Sequence, residues 1–211
     1  IYYNTIFVDT TGIPVIANHN SAAIHLANLG TSSVDLRNNI IINLMSAGTS
    51  PTTARATCIW ATANTNLLRL APTTNNNLFY VGTTPSTTKP IAWDAATAYT
   101  SMSSYRGALA SGGLGGPREL QSVYEFPPFV STTPSSYDLH LSASPATLAE
   151  SGALPISGIL TDYDGNSRSL TFPDIGADEF SGTAATDIVS PAIVYTQLGN
   201  TSSLSDRNLT A

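Results

Sequence analysis

Lysine is almost missing from this chain. Lys89 is the only one, and charged residues of all kinds make up 10% of the sequence, against about 25% in an average globular domain. Exposed helix faces favour Lys, Glu, Gln and Arg, so this shortage argues against a mostly helical protein. The formal net charge of −6 and the pI near 4.7 supply no basic stripe for a phosphate backbone, so nucleic acid is not an expected partner. Cys58 stands alone, which excludes a disulfide framework and a cysteine metal cluster. No apolar run reaches the roughly 18 residues that a membrane span needs, and no signal peptide is legible at the start.

In place of charge there is Thr, Ser, Asn, Ala and Gly, which suits many short strands joined by turns and is common in secreted β proteins. The length of 211 residues allows one large domain or two small ones. The chain opens at Ile1 inside an apolar, strand-like run, and is expected to be a piece of a longer polypeptide. Aligned apolar runs expose a repeat. "YYNTIFVD" (2–9), "LRNNIIIN" (36–43) and "NNNLFYVG" (75–82) each place Asn before four largely apolar residues, with Asn4, Asn38 and Asn76 spaced by 34 and then 38 residues. Two more strand-like runs, "AAIHLANL" (22–29) and "ATCIWATA" (56–63), lie between them. A period of this length with strands and no helices predicts a solenoid or propeller. No Asn-Gly or Asp-Gly hairpin turn separates the runs, so a parallel coil is expected, with corner Asn residues bonded from rung to rung and aliphatic stacks such as Ile6, Ile40 and Leu78.

These runs, with "PRELQSVYEFPPFVSTTPSSYDLHL" (117–141) and "TDYDGNSRSLTFPDIGADEF" (161–180), resemble secreted right-handed parallel β-helix surface proteins of the pectate-lyase-like superfamily. The likeness is to those of Bacteroidetes-type bacteria and covers about residues 1–182. The D-x-DG…R…PDIGADEF ending resembles the choice-of-anchor Q domain group. The resemblance implies an all-β fold, export through type IX secretion and display at the cell surface. It divides the chain into rungs (1–89), last rungs and a C-terminal cap with the IGADEF motif (90–181), a linker (182–187) and an incomplete Ig-like β-sandwich module (188–211). Two departures stand out: the Gly-rich "RGALASGGLGGPREL" (106–120) reads as an insertion, and "FPPFV" places Pro at position 127 where relatives of this general fold carry an Asp-Pro.

The 161–180 stretch concentrates charge in a charge-poor chain. Three readings are open. Asp162, Asp164 and Asn166 could hold Ca²⁺, since "DYDGN" resembles the start of an EF-hand loop, but Thr171 and Phe172 stand where the bidentate Glu would be needed. Paired carboxylates could serve glycoside hydrolysis. Alternatively the stretch is a structural lock, in which Asp164-Gly165 turns the chain and Arg168 ties to Asp174 or Asp178 while Glu179 helps to close the motif. A lyase would need several aligned Asp plus a base; Asp35 and Arg37 instead share one strand face as an ion pair. His140 in "YDLHL" reads as a polar-face residue. A short helix is expected near 94–109. Trp60 and Trp93 are the candidate glycan platforms.

The function most consistent with these features is a secreted or cell-surface adhesin or structural stalk with glycan-binding capacity and no catalytic residues of its own. Its partners would be glycans, cell surfaces or adjacent domains. One alternative is a carbohydrate-active enzyme, a polysaccharide lyase or glycoside hydrolase, whose catalytic rungs lie outside this chain. Another is an exported substrate captured in a secretion or filament assembly.

Overall fold

A computed structural model describes residues 1–9, 17–50, 54–110, 114 and 116–186. In chain order the elements are β1 (Thr5–Val8), β2 (Ser21–Leu26), β3 (Ile40–Asn43), β4 (Ala56–Ala61), α1 (Asn64–Leu67), β5 (Leu78–Tyr80), β6 (Ala92–Trp93), β7 (Ala98–Tyr99), α2 (Met102–Ala110), β8 (Val123–Tyr124), β9 (Phe129–Ser131) and β10 (Asp138–Leu141). They form a first sheet ordered β1-β3-β5-β8, a second ordered β2-β4-β6-β7, and the pair β9-β10. The first sheet is parallel throughout, and β2-β4-β6 is parallel. The chain therefore alternates between two parallel sheets through the region where the sequence repeats.

The expected all-β parallel β-helix is not what the described residues form. Sheets are mixed, with antiparallel pairs β6-β7 and β9-β10. Among the described residues strands account for 26% and helices for 8%, with no closed solenoid. The physical reason lies between the paired strands. The stretches leading into β1, β3 and β5 meet only in single bridges, Tyr2–Arg37, Arg37–Asn75 and Val34–Leu70, and the Pro- and Ser-rich chain after β8 doubles back as the antiparallel pair β9-β10. Asp94 sets one reversal: its Oδ1 accepts the amides of Ala96 and Thr97 at 3.0 and 2.6 Å, folding β6 back onto β7. The helix expected near 94–109 starts only at Met102, because Ser101 and Ser104 cap each other's backbone amides at 3.2 and 3.1 Å. The module assigned to 188–211, and the end of the linker at Asp187, lie outside the described residues.

Asparagine organises the first sheet. Asn39 Oδ1 accepts the Asn4 amide at 3.0 Å, Asn77 Oδ1 accepts the Asn39 amide at 3.0 Å, and Ser122 Oγ accepts the Asn77 amide at 2.8 Å. Each strand is thus tied to the next just before it begins. The residues one place earlier, Tyr3, Asn38 and Asn76, have φ of 53°, 61° and 55°, a left-handed corner that Asn tolerates well. The aliphatic stacks run Ile6–Ile41–Phe79 and Ile40–Leu78–Val123, so Ile6 and Ile40 fall in different columns. The doubled Asn of "RNNI" concealed this one-residue offset, and in a strand one residue means the opposite face.

Those two columns explain why β3 is buried along its whole length. Ile41 and Phe79 face the second sheet, in a core shared with Ile24, Cys58, Ile59 and Leu70; Ile40, Ile42 and Leu78 face away, in a core shared with Leu141, Ala153, Ile156 and Ile175. The first sheet is therefore a middle layer, and a strand buried on both faces reads as the continuous apolar run "IIIN". Cys58 is a small hydrophobe here, its thiol pushed up to about 12 by burial. On α2, Tyr105 packs edge-on to Phe79 at 5.8 Å and closes the inner core. Arg118, almost fully buried, donates to the carbonyls of Leu68, Leu70 and Leu109 beside it.

The 150–180 segment is the outer layer. It lies across β1, β3 and β5: Tyr3 Oη and Asn38 Nδ2 both donate to the Leu154 carbonyl, and Asn76 Nδ2 donates to that of Gly152. Gly176 comes close against β3. Its φ is +106°, and a Cβ there would stand 2.6 Å from Ile40 Cδ1, so only glycine fits.

Candidate functional site

Two surfaces bring functional side chains together. The first is the outer face of the second sheet. Parallel pairing sets His25 beside Trp60 and Trp60 beside Trp93. Their neighbours Ile24, Leu26, Ile59, Ala61 and Ala92 point into the core, so strand alternation turns His25, Trp60 and Trp93 outward. The two indoles lie 6.4 Å apart at an interplanar angle of 67°. The Arg55 guanidinium stands 4.6 Å from the Trp93 ring centre, which orients that ring through a cation–π contact. Trp60 borders a hollow of ≈ 390 Å³ lined by Asn20, Ser21, Ala22 and His25. Sequence reading singled out both tryptophans but not the histidine. The signal was present, since His25 alternates with Ile24 and Leu26 and precedes Trp60 by one strand-to-strand spacing.

The second surface is a groove of ≈ 680 Å³ between the start of the chain, β10 and the charged motif. Tyr2, Tyr137 and Tyr163 line it together with His140, Asp164 and Asp178. His140 is held from both sides, its Nε2 at 2.8 Å from Asp164 Oδ2 and its Nδ1 against Asp138 Oδ1. Hydrogen bonds to these two carboxylates push the imidazole up to about 9. Asp178 Oδ2 accepts the Leu141 amide at 2.8 Å. The alternation in "YDLHL" predicts only a polar-face residue at His140; its partner Asp164 lies 24 residues along, beyond the reach of local pattern.

Within the motif Arg168 takes other partners than the sequence suggests. Arg168 Nη1 donates to Glu179 Oε2 at 3.1 Å rather than to Asp174 or Asp178, and Nη2 donates to the carbonyls of Gly176 and Ala177 at 3.0 and 2.9 Å. The guanidinium also covers the Tyr3 ring at 4.1 Å. Glu179 accepts the Ser169 and Asp174 amides as well. Asp174 accepts the amides of Ser151 and Phe180; burial outweighs these bonds and raises its carboxyl to about 7. Gly165 takes φ of +88° at the turn, as its place after Asp164 suggested.

The three residues proposed for Ca²⁺ are drawn apart in role. Asp162 receives the amides of Asp164, Asn166 and Glu179 and the Asn166 side-chain amide, at 2.8–3.1 Å. Burial alone would raise its carboxyl, but these donors outweigh it and hold it below the usual range. Asp162 is thus the hub of its own turn, while Asp164 faces His140.

Strands β1 to β9 carry no carboxylate, so the described sheets offer no aligned acids of the kind a lyase uses. Asp35 pairs with Arg37 at 3.0 Å, as its strand spacing predicted. No helix among the described residues is long and apolar enough to cross a membrane. No family model, curated protein or solved structure matches the chain.

Proposed function

We propose that this chain is a non-catalytic binding module of a larger secreted or cell-surface protein, an adhesin or stalk piece that takes glycans on the outer face of its second sheet. The observation that carries the reading is the His25–Trp60–Trp93 row. Indole faces stack on the C–H faces of pyranose rings, and a rigid sheet holds them without ordering cost at the moment of binding. Asn20, Ser21 and His25 around Trp60 supply the few polar groups that fix a sugar's orientation. The Thr- and Asn-rich, charge-poor composition fits a polar, uncharged ligand better than an ionic one.

The test is a glycan array run beside a polysaccharide-depolymerisation screen on the same protein. Retention of a defined polysaccharide with no new reducing ends is the expected result. Appearance of unsaturated or shortened oligosaccharides would contradict it and favour a carbohydrate-active enzyme.

A further inference from the structure

The groove holds a donor set that sugar binding on the opposite sheet does not use. His140, Asp164 and Asp178 each offer one ligand atom, all within 4.8 Å of one another. They come from three separate segments: β10, the turn after Asp162, and the close of the charged motif. Hydrogen bonds hold each of these segments in place. Asp162 holds the turn of Asp164, Asp178 is tied to the Leu141 amide, and Arg168 binds the carbonyls of Gly176 and Ala177 just before Asp178. The side chains of His140 and Asp164 remain about half exposed, at 50% and 41%. They can therefore adjust rotamers at small cost.

We propose that His140, Asp164 and Asp178 form a site for one first-row divalent metal ion, Zn²⁺ by preference, with its remaining coordination open to the groove. The nitrogen decides the class of ion. Ca²⁺ and Mg²⁺ take oxygen ligands, whereas imidazole with carboxylates suits zinc and its neighbours. Zinc bonds of about 2.0–2.2 Å place ligand atoms roughly 3.4 Å apart in a tetrahedron, so the His140–Asp164 pair, now 2.8 Å apart, opens slightly as the metal replaces their hydrogen bond, while the wider separations, at most 4.8 Å, close. Asp138 Oδ1 lies against the other ring nitrogen of His140. A carboxylate there fixes the ring and raises its basicity as a ligand. The ion would sit among Tyr2, Tyr137 and Tyr163, open to a ligand oxygen.

The full chain is titrated with ZnCl2 in chelator-free buffer by calorimetry, and histidine ring resonances are followed by NMR. One Zn²⁺ per chain is expected, with shifts at His140 and not at His19 or His25. Affinity should fall at least tenfold in both His140→Ala, at an exposed position, and Asp178→Asn, whose amide oxygen can still accept the Leu141 N–H; melting curves without metal check that both variants fold. Trp60→Ala should bind zinc as the parent does, so this outcome is independent of the glycan reading. No uptake, equal uptake by His140→Ala, or shifts at His19 or His25 would overturn the site. Calcium uptake that survives His140→Ala but not Asp162→Asn would also overturn it, by placing the ion in the turn.

Discussion

Arg168 shows most directly how one side chain holds a layer in place. Its side chain is almost fully buried and binds one carboxylate, two carbonyls and a tyrosine ring. Removing it strands Glu179 away from water without its cation. Breaking such a buried pair costs about 3–5 kcal/mol, so Arg168→Ala should lower the unfolding free energy by that order in urea titration. Arg168→Lys should recover only part, because an ammonium cannot reproduce the planar fork. A loss below about 1 kcal/mol would mean that the motif is not a lock. The residue types of this lock were legible in the sequence and the pairing was not. Asp174, Asp178 and Glu179 lie within six positions, and only the folded turn at Gly176 decides which one meets the guanidinium.

Two buried acids give stability a pH dependence opposite to that of ordinary surface carboxylates. Burial raises Glu119 to about 7, against hydrogen bonds from Ser122 and Asn77, and raises Asp174 likewise. Unfolded, both groups ionise near 4. Between about pH 4 and 7 the folded chain keeps protons that the unfolded chain has lost, so these two acids withdraw stability as pH rises through that window. Asp162 and Asp94, both held low, act in the other direction and withdraw stability only below about pH 4. Calorimetric melting temperatures should therefore decline from pH 5 to pH 7. Glu119→Gln should flatten part of that slope, and an unchanged slope would contradict its assignment.

At the scale of elements, β3 bears the most. It pairs with β1 and β5 and is buried on both faces, Ile41 toward one core and Ile40 and Ile42 toward the other. Ile41→Ala should cost about 2–5 kcal/mol, whereas Val8→Ala at the half-buried end of edge strand β1 should cost less; comparable losses would mean that the sheet is not the middle layer. Much of the parallel pairing was legible, because the Asn-plus-apolar repeat states the strand spacing. Three things were not. The register was blurred by the doubled Asn38-Asn39. The helix start and the β6-β7 reversal depend on Asp94 and Ser101, whose side chains act on backbone two or three residues away. The outer layer owes its position to contacts such as Ala177 with Thr5, 172 residues apart, which no local period encodes.

On the scale of the whole molecule, the two candidate surfaces lie on different layers. The aromatic row belongs to the second sheet, and the groove belongs to the outer layer against β1 and β10. The tryptophans could be singled out from sequence because they are scarce; the groove could not, since it joins residues from Tyr2 to Asp178. The measurement that bears most directly on the proposed role is affinity electrophoresis of the parent and Trp60→Ala through gels containing a polysaccharide that the array identifies. Base–aromatic stacks lose about 1–3 kcal/mol on alanine substitution, and a sugar on Trp60 should lose a similar amount, on the order of tenfold in affinity or more. Trp60→Phe should retain part of the binding and shows that the fold is intact. The parent should be retarded and Trp60→Ala should run freely. Equal retardation of the two would contradict the account.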